Sequence, residues 1–91
     1  MTARSIQITL GAGATQISAT PAYFNQMIVQ NNSAAVANLG DSTVSATKGI
    51  SLPASAAQTP VVIGPFSGQQ GDASQFYLYG TASDVIDVLL V

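Results

Sequence analysis

The feature that most constrains this chain is the alternation of apolar and polar residues over short segments. In residues 5–10, the apolar residues Ile6, Ile8 and Leu10 alternate with three polar ones. Because successive side chains of a strand point to opposite faces, this is the pattern of a half-buried strand. No segment of the length that a helix needs, roughly 10–12 residues, carries a helical period. The alternation therefore predicts an all-β fold.

Further segments have the alternation or the composition of strands, and residues that favour turns separate them. We predict strands at residues 15–19, 23–30, 35–39, 43–46, 59–63, 75–79 and 85–91, with 23–30 the longest. Gly11 to Gly13 and residues 80–83 have the composition of hairpin turns, so the first two and the last two strands are predicted to pair as hairpins. Residues 66–73, mostly Gly, Ser, Gln and Asp, are predicted to be the longest and most mobile loop.

The length and the strand spacing together predict the architecture. A chain of 91 residues holds about one small core. Short strands at this spacing are typical of a small antiparallel β-sandwich or a jelly-roll-like barrel, here with about seven or eight strands. We expect a single β domain over residues 1–91, with residues 1–5 as a candidate N-terminal arm.

Charge is scarce, and this narrows the classes of partner. Only 7% of the residues are charged, against about 25% in ordinary domains, while 47% are hydrophobic. A surface of neutral polar groups gives little protection against association, which favours a subunit of an assembly. Arg4 and Lys48 are the only cations and the net charge is −2, so nucleic acid is not expected as a partner. No apolar run approaches the roughly 20 residues that span a bilayer, so no membrane partner is expected.

The residue types that perform most catalysis are missing. The chain has no His, Cys or Glu, and its four acidic residues are Asp41, Asp72, Asp84 and Asp87. Proton transfer and nucleophile activation rely on these missing types or on paired carboxylates. The odd spacing of Asp84 and Asp87 sends them to opposite faces of a strand, and no calcium-loop spacing is present. We predict no catalytic residue, no cofactor and no metal site.

Four residues are candidates for an interface with another protein. Tyr77 and Tyr79 share one strand face, where tyrosines pack on a sheet, contact a protein or stack on a sugar, and packing is the commonest of these uses. Asp87 lies among Val and Leu residues and is interpreted as an outward edge charge or an inter-subunit contact. Phe66 begins the long predicted loop and completes the candidate set.

Four segments carry a resemblance to a known family, residues 29–33, 39–50, 76–82 and 85–89, and they cover most of the chain from Met27 onward. Together they resemble small virion structural proteins of tailed bacteriophages. The resemblance implies a β-sandwich that decorates or cements a capsid, or that sits in the neck, the tail or a fibre base, often as a symmetric oligomer.

The resemblance carries over no catalytic residue. It implies that Gly40, Asp41 and Gly49 are kept for turn geometry, with glycine allowing positive φ and Asp41 holding a local hydrogen bond.

These observations predict a non-enzymatic structural protein of the virion. The leading expectation is a capsid decoration or cement protein that binds the major capsid protein, other virion proteins or neighbouring copies, forms a homo-oligomer and stabilises the particle. One alternative is a neck, tail or head-fibre component. Another is a carbohydrate- or receptor-binding module that uses Tyr77 and Tyr79.

Overall fold

A computed structural model describes residues 3–57 and 59–91, and the described residues form strands and two short 3₁₀ segments without an α-helix. The strands are β1 (Arg4–Thr9), β2 (Thr15–Gln16), β3 (Tyr23–Phe24), β4 (Met27–Asn31), β5 (Ala37–Gly40), β6 (Ile50–Leu52), β7 (Val61–Ile63), β8 (Gly71–Asp72), β9 (Tyr77–Tyr79) and β10 (Val85–Leu90). The 3₁₀ segments are Ser55–Ala57 and Ala73–Gln75. The predicted all-β class is therefore confirmed.

The strands form three antiparallel sheets. The first sheet has the order β1-β10-β4-β7, the second β2-β9-β5-β6, and the small sheet pairs β3 with β8. This arrangement is consistent with the predicted small β-sandwich. The described residues contain ten strands, more than the seven or eight expected, because the segment predicted at 23–30 forms two strands and because the short strands β6 and β8 were not predicted.

All three sheets contribute to one hydrophobic core. Every second residue of β10 is buried, namely Ile86, Val88 and Leu90. The second sheet buries a leucine from each of three strands, and Phe24 from the small sheet is fully enclosed. Burying a side chain of this size contributes about 1.5–3 kcal/mol. The alternation predicted for β1 is also present, since Ile8 is buried while its polar neighbours are exposed.

Both predicted hairpins are wrong. The first strand pairs along its whole length with β10, and β2 pairs with β9, so neither turn returns the chain to the strand it has just left. The two connections instead bond to each other, because Leu10 N donates to Asp84 O at 2.8 Å and Ser83 N donates to Leu10 O at 2.9 Å. Turn residues mark where a chain changes direction, but they do not determine which sheet it enters next.

The long strand predicted at residues 23–30 is divided in two. Phe24 and Met27 are both fully buried, although an odd spacing would place them on opposite faces of one strand. A break at Asn25 and Gln26 resolves this conflict, and both backbone N–H groups donate to Val91 O, at 2.8 and 3.1 Å. The segment therefore serves two sheets, β3 in the small one and β4 in the first.

The strand predicted at residues 43–46 is also wrong. Val44 N donates to Asp41 O at 3.0 Å, which makes a turn. The segment contains one isolated β-bridge, between Ser45 and Lys48. Val44 is buried by this turn and is not part of a sheet. An alternating pattern of only four residues is too short to decide between a strand and a tight turn.

Asn31 is a buried polar residue that joins the first sheet to the second. Its side-chain amide donates to Ala35 O at 2.7 Å and to Leu52 O at 3.3 Å, and its Oδ1 accepts from Ser33 N at 2.9 Å. Leaving a buried partner without its hydrogen bond costs about 1–3 kcal/mol per group. The amide therefore fixes the position of β6 relative to β4, because a shift of either strand would break the bond to Leu52 O.

We expect Asn31→Leu to lower the free energy of unfolding by about 2–4 kcal/mol, because three backbone groups lose their partner while the branching of the side chain stays the same. Urea unfolding monitored by circular dichroism measures the change. Gln69→Leu, at an exposed position, serves as the control and should change stability by less than about 0.5 kcal/mol. Equal stability of the two variants would contradict the role of Asn31.

We also expect Gly71→Ala to destabilise the protein by about 1–3 kcal/mol through overpacking. A Cβ at Gly71 would lie 2.5 Å from Cζ of Phe24, whose ring is enclosed in the core. Gly13→Ala is the matched control, since a Cβ there meets no atom within 4 Å. Thermal unfolding of both variants tests the expectation, which fails if Gly71→Ala melts at the temperature of Gly13→Ala.

Candidate assembly surfaces

The three residues implied in turn geometry lie together in the connection between β5 and β6. Gly49 has φ +129°, and a Cβ there would stand 2.8 Å from Leu39 O. Gly40 ends β5 in a strand conformation, and its small size admits Val44, whose Cβ lies 3.2 Å from the position that a Gly40 Cβ would take. Gly49 thus supplies backbone freedom, whereas Gly40 supplies space.

Asp41 organises the same turn through its carboxylate. Its Oδ1 accepts a hydrogen bond from the Thr43 hydroxyl and another from Thr43 N, the latter at 2.9 Å. The side-chain bond from Thr43 is the largest cause, followed by its backbone bond, of a lowered pKa at Asp41. Lys48 Nζ in turn donates to Thr43 Oγ1 at 2.6 Å. The Asp41 carboxylate therefore stabilises the conformation of its own turn.

Asp72 is a structural residue that the sequence analysis did not single out. Its Oδ1 accepts from Ala22 N and Ser74 N, both at 3.0 Å, and from Ser74 Oγ at 2.9 Å. The bond from Ala22 is the largest cause of a lowered pKa at Asp72. The two hydrogen bonds from Ser74 have a local sequence signal, because an Asp two residues before a Ser often accepts hydrogen bonds from it in a turn. The bond to Ala22 depends on the tertiary fold.

The lowered pKa of Asp72 predicts a loss of stability in acid. A folded pKa below the unfolded value of about 3.9 stabilises the protein above that pH, and this contribution disappears as the pH falls through the folded pKa. Asp72→Asn removes the charge and keeps an oxygen that accepts hydrogen bonds. We expect its melting temperature to be lower than that of the wild type at pH about 7, with the difference vanishing toward pH about 2. A difference that stays constant across a thermal-melt pH series would contradict this.

The outer face of the first sheet carries a shallow groove of about 530 Å³. Side chains that point away from the core form two rows across this sheet. The polar row consists of Gln7, Asp87 and Gln30, which lie opposite one another on β1, β10 and β4. The parallel apolar row consists of Leu89, Ile28 and Val62 on β10, β4 and β7. We call this surface, defined by these six residues, the Asp87 face.

Asp87 stands in the middle of the sheet. The expectation that it protects an edge is wrong, because β10 lies between β1 and β4. Its carboxylate accepts hydrogen bonds from Gln7 Nε2, at 3.2 Å, and from the side-chain amide of Asn32. Two neutral donors thus hold the charge in place on an otherwise uncharged surface.

The outer face of the second sheet carries the two tyrosines. Tyr77 and Tyr79 are half-buried on either side of the enclosed Leu78, so both point away from the core. Tyr79 lies opposite Asn38 of β5. Tyr79 and Asn38 line a groove of about 390 Å³ together with Val36, Ala46, Gly80 and Thr81, whereas Tyr77 lies outside this groove. We call the surface of Val36, Asn38, Tyr77 and Tyr79 the tyrosine face.

Phe66 lies apart from both faces. Its ring centroid is 5.8 Å from that of Phe24, and Phe66 N donates to Asn25 O at 3.0 Å. The ring remains 41% exposed, so it covers the core while leaving one side open. The predicted loop 66–73 was too long, because Gly71–Asp72 forms β8. Of the four candidate interface residues, the structure brings together Tyr77 and Tyr79, with Asp87 on the other large sheet.

Two searches of the described residues bear on other classes of site. Across 3–57 and 59–91, no group of three His, Cys, Asp or Glu side chains is close enough to hold a metal ion. In the same part of the chain, no helix is long and apolar enough to cross a membrane. Residues 1 and 2 of the candidate N-terminal arm lie outside the described residues, and Arg4 and Ser5 belong to β1.

Comparison of the chain with protein-family models, with curated proteins and with solved structures finds no match. The chemistry of the two outer faces is therefore the basis on which a function can be proposed.

Proposed function

We propose that this chain is a non-enzymatic structural protein of a virus particle, where it decorates the capsid by binding the major capsid protein or neighbouring copies. One observation carries the proposal: among the described residues that line the two outer grooves, Asp87 is the single charged one. Protein interfaces are depleted of charge and enriched in tyrosine at their centres. Both outer faces thus have the composition of a surface that another protein covers.

Exposed apolar side chains, within the two faces and beyond them, support the same proposal. Tyr23, Val36, Ile50, Val62 and Phe66 expose between 41% and 61% of their surface. Burial of apolar area contributes about 25 cal/mol per Å², so covering these side chains is favourable. Single exposed apolar residues are common on proteins, but here few charges surround them. The particle as the place of assembly rests on the resemblance that residues 29–33, 39–50, 76–82 and 85–89 bear to small virion proteins of tailed bacteriophages.

Attachment to a capsid does not require a tight single contact. A decoration protein that is arrayed on a lattice binds at many equivalent positions, and contacts between adjacent copies raise the avidity of the whole layer. Two faces on opposite sheets suit this arrangement, because one can contact the shell while the other contacts a neighbour. Such a protein needs a rigid scaffold whose surfaces bind other proteins, and it needs no catalytic side chains.

The copy number of the chain in purified particles from its source tests the proposal. Quantitative mass spectrometry combined with electron cryo-microscopy is the measurement. Hundreds of copies on the shell are expected. A few to a few dozen copies at a vertex or along the tail would replace decoration by a neck, tail or fibre role. Absence from the particles would overturn the virion proposal altogether.

We expect Tyr79→Lys and Tyr77→Lys to reduce binding to particles that lack the protein by about tenfold or more, because each places a charge at the centre of the tyrosine face. Co-sedimentation of the purified variants with such particles measures the bound copies. Ala12→Lys, which adds the same charge at an exposed bend, is the matched control and should bind like the wild type. Equal loss in all three variants would indicate a general charge effect and contradict a specific role of the tyrosines.

The groove beside Tyr79 favours a second candidate, a carbohydrate- or receptor-binding module. The Tyr79 ring provides a stacking surface and the neighbouring Asn38 side-chain amide provides a hydrogen-bonding group. Sugar-binding sites combine these two features. Saturable binding on a glycan array that Tyr79→Ala abolishes would support this function. An array without any saturable signal would exclude glycans as the ligand.

A further inference from the structure

We propose that two copies of this chain pair antiparallel through the free edges of their β1 strands, about a two-fold axis, so that their first sheets become one continuous sheet. The first strand lies at the edge of its sheet, with β10 on one side and, among residues 3–57 and 59–91, no strand on the other. An open edge presents unpaired backbone N–H and C=O groups and is a template for another strand.

The hydrogen-bond pattern identifies which backbone groups are free. Leu10 N donates to Asp84 O at 2.8 Å, one step beyond the register in which Thr9 faces Val85. In an antiparallel ladder such bonded pairs recur at every second residue. The even-numbered residues of β1 therefore direct their backbone groups to β10, whereas Ser5, Gln7 and Thr9 direct theirs to the open side.

The open edge is complementary to itself when Gln7 faces the partner's Gln7. This register sets Ser5 opposite the partner's Thr9 and allows about six backbone hydrogen bonds across the interface. Ile6 then lies opposite the partner's Ile8. Cross-strand pairs of hydroxyl residues and of β-branched residues are favourable, and no two like charges meet. Arg4 of β1 faces the partner's Leu10, so the two arginines of the dimer do not lie opposite each other.

The other sheet edges fit this role less well. In the first sheet, β7 has only three residues and lies between Pro60 and Pro65, and proline at a sheet edge blocks further pairing. In the second sheet, the edge strands β2 and β6 have two and three residues. The first strand has six residues and no proline, which makes it the longest edge available.

Pairing through β1 also extends the Asp87 face. Across the two-fold axis, the polar row Gln30, Asp87 and Gln7 would continue into the same three residues of the partner in reverse order. The two carboxylates would be separated by two glutamine side chains, so like charges would not stand directly opposite each other. The dimer would therefore present one broad surface of mostly uncharged side chains, in which the two Asp87 carboxylates are far apart.

This inference deepens the proposed function by naming a second copy of the chain as one partner. Its test is made in solution without particles. A chain that stays monomeric overturns the pairing, whereas its presence or absence in particles is decided separately by the copy number.

Sedimentation velocity of the wild type and two variants at position 7 provides the first test, at concentrations from about 10 µM to about 1 mM. We expect the wild type to approach twice the monomer mass of 9.2 kDa. Gln7→Pro should stay monomeric, because it removes an N–H from the open edge and none from the ladder with β10. Gln7→Ala keeps that N–H and should dimerise. A monomeric wild type, or a dimeric Gln7→Pro with native circular dichroism, would overturn the proposal.

Single cysteines test the register, and they do so even if Gln7→Pro fails to fold. The chain has no cysteine of its own. Two Gln7→Cys residues would face each other with Cα atoms about 5.5 Å apart, which a disulfide spans. Two Ser5→Cys residues would be offset by four positions, or about 13 Å, which is too far. We expect oxidised Gln7→Cys to run as a dimer on non-reducing gels and Ser5→Cys as a monomer. Equal crosslinking of both, or of neither, would overturn this register.

Discussion

The pairing of β10 between β1 and β4 is the interaction on which the rest of the structure depends. It joins the two ends of the described chain, and one face of β10 supplies Ile86, Val88 and Leu90 to the core. The same strand carries Asp87 and Leu89 on its outer side, so a single segment builds both the core and a candidate assembly surface. Because its partners are far apart in sequence, the first sheet cannot close before the last strand is in place, and topologies of this kind fold slowly.

The sequence predicted which side chains are buried better than it predicted which strands pair. The direction of a side chain in a strand is a local property, so the alternation around Ile8 was sufficient to predict the buried face of β1. That alternation is the same whichever strand lies alongside, and both hairpins were therefore assigned to the wrong partners. The break between Phe24 and Met27 has a local signal in their odd spacing, but it is decisive only once both are known to be buried.

The candidate sites also differ in whether local residues or distant strands build them. The turn containing Asp41 and Gly49 is built by residues within a few positions of one another, and local chemistry pointed to it. The role of Asp72 depends on Ala22, fifty positions away, and no local pattern indicates that bond. Likewise, Asp87 was expected at an edge because its sequence neighbours do not show how many strands flank it. Functional surfaces of a sandwich are thus defined by topology more than by motif.

The proximity of the two ends of the first sheet has a consequence for protein engineering. Arg4 and Leu90 face each other across the β1–β10 ladder, about 5.5 Å apart between Cα atoms. A short linker from residue 91 to residue 3 would turn this ladder into a hairpin, and new termini could be opened in the exposed segment 67–70. Such a circular permutant would keep every strand partner and convert the most distant pairing of the chain into its most local one. In the same way, peptides fused directly before residue 3 and directly after residue 91 would leave this ladder side by side, which makes the scaffold suitable for displaying paired epitopes.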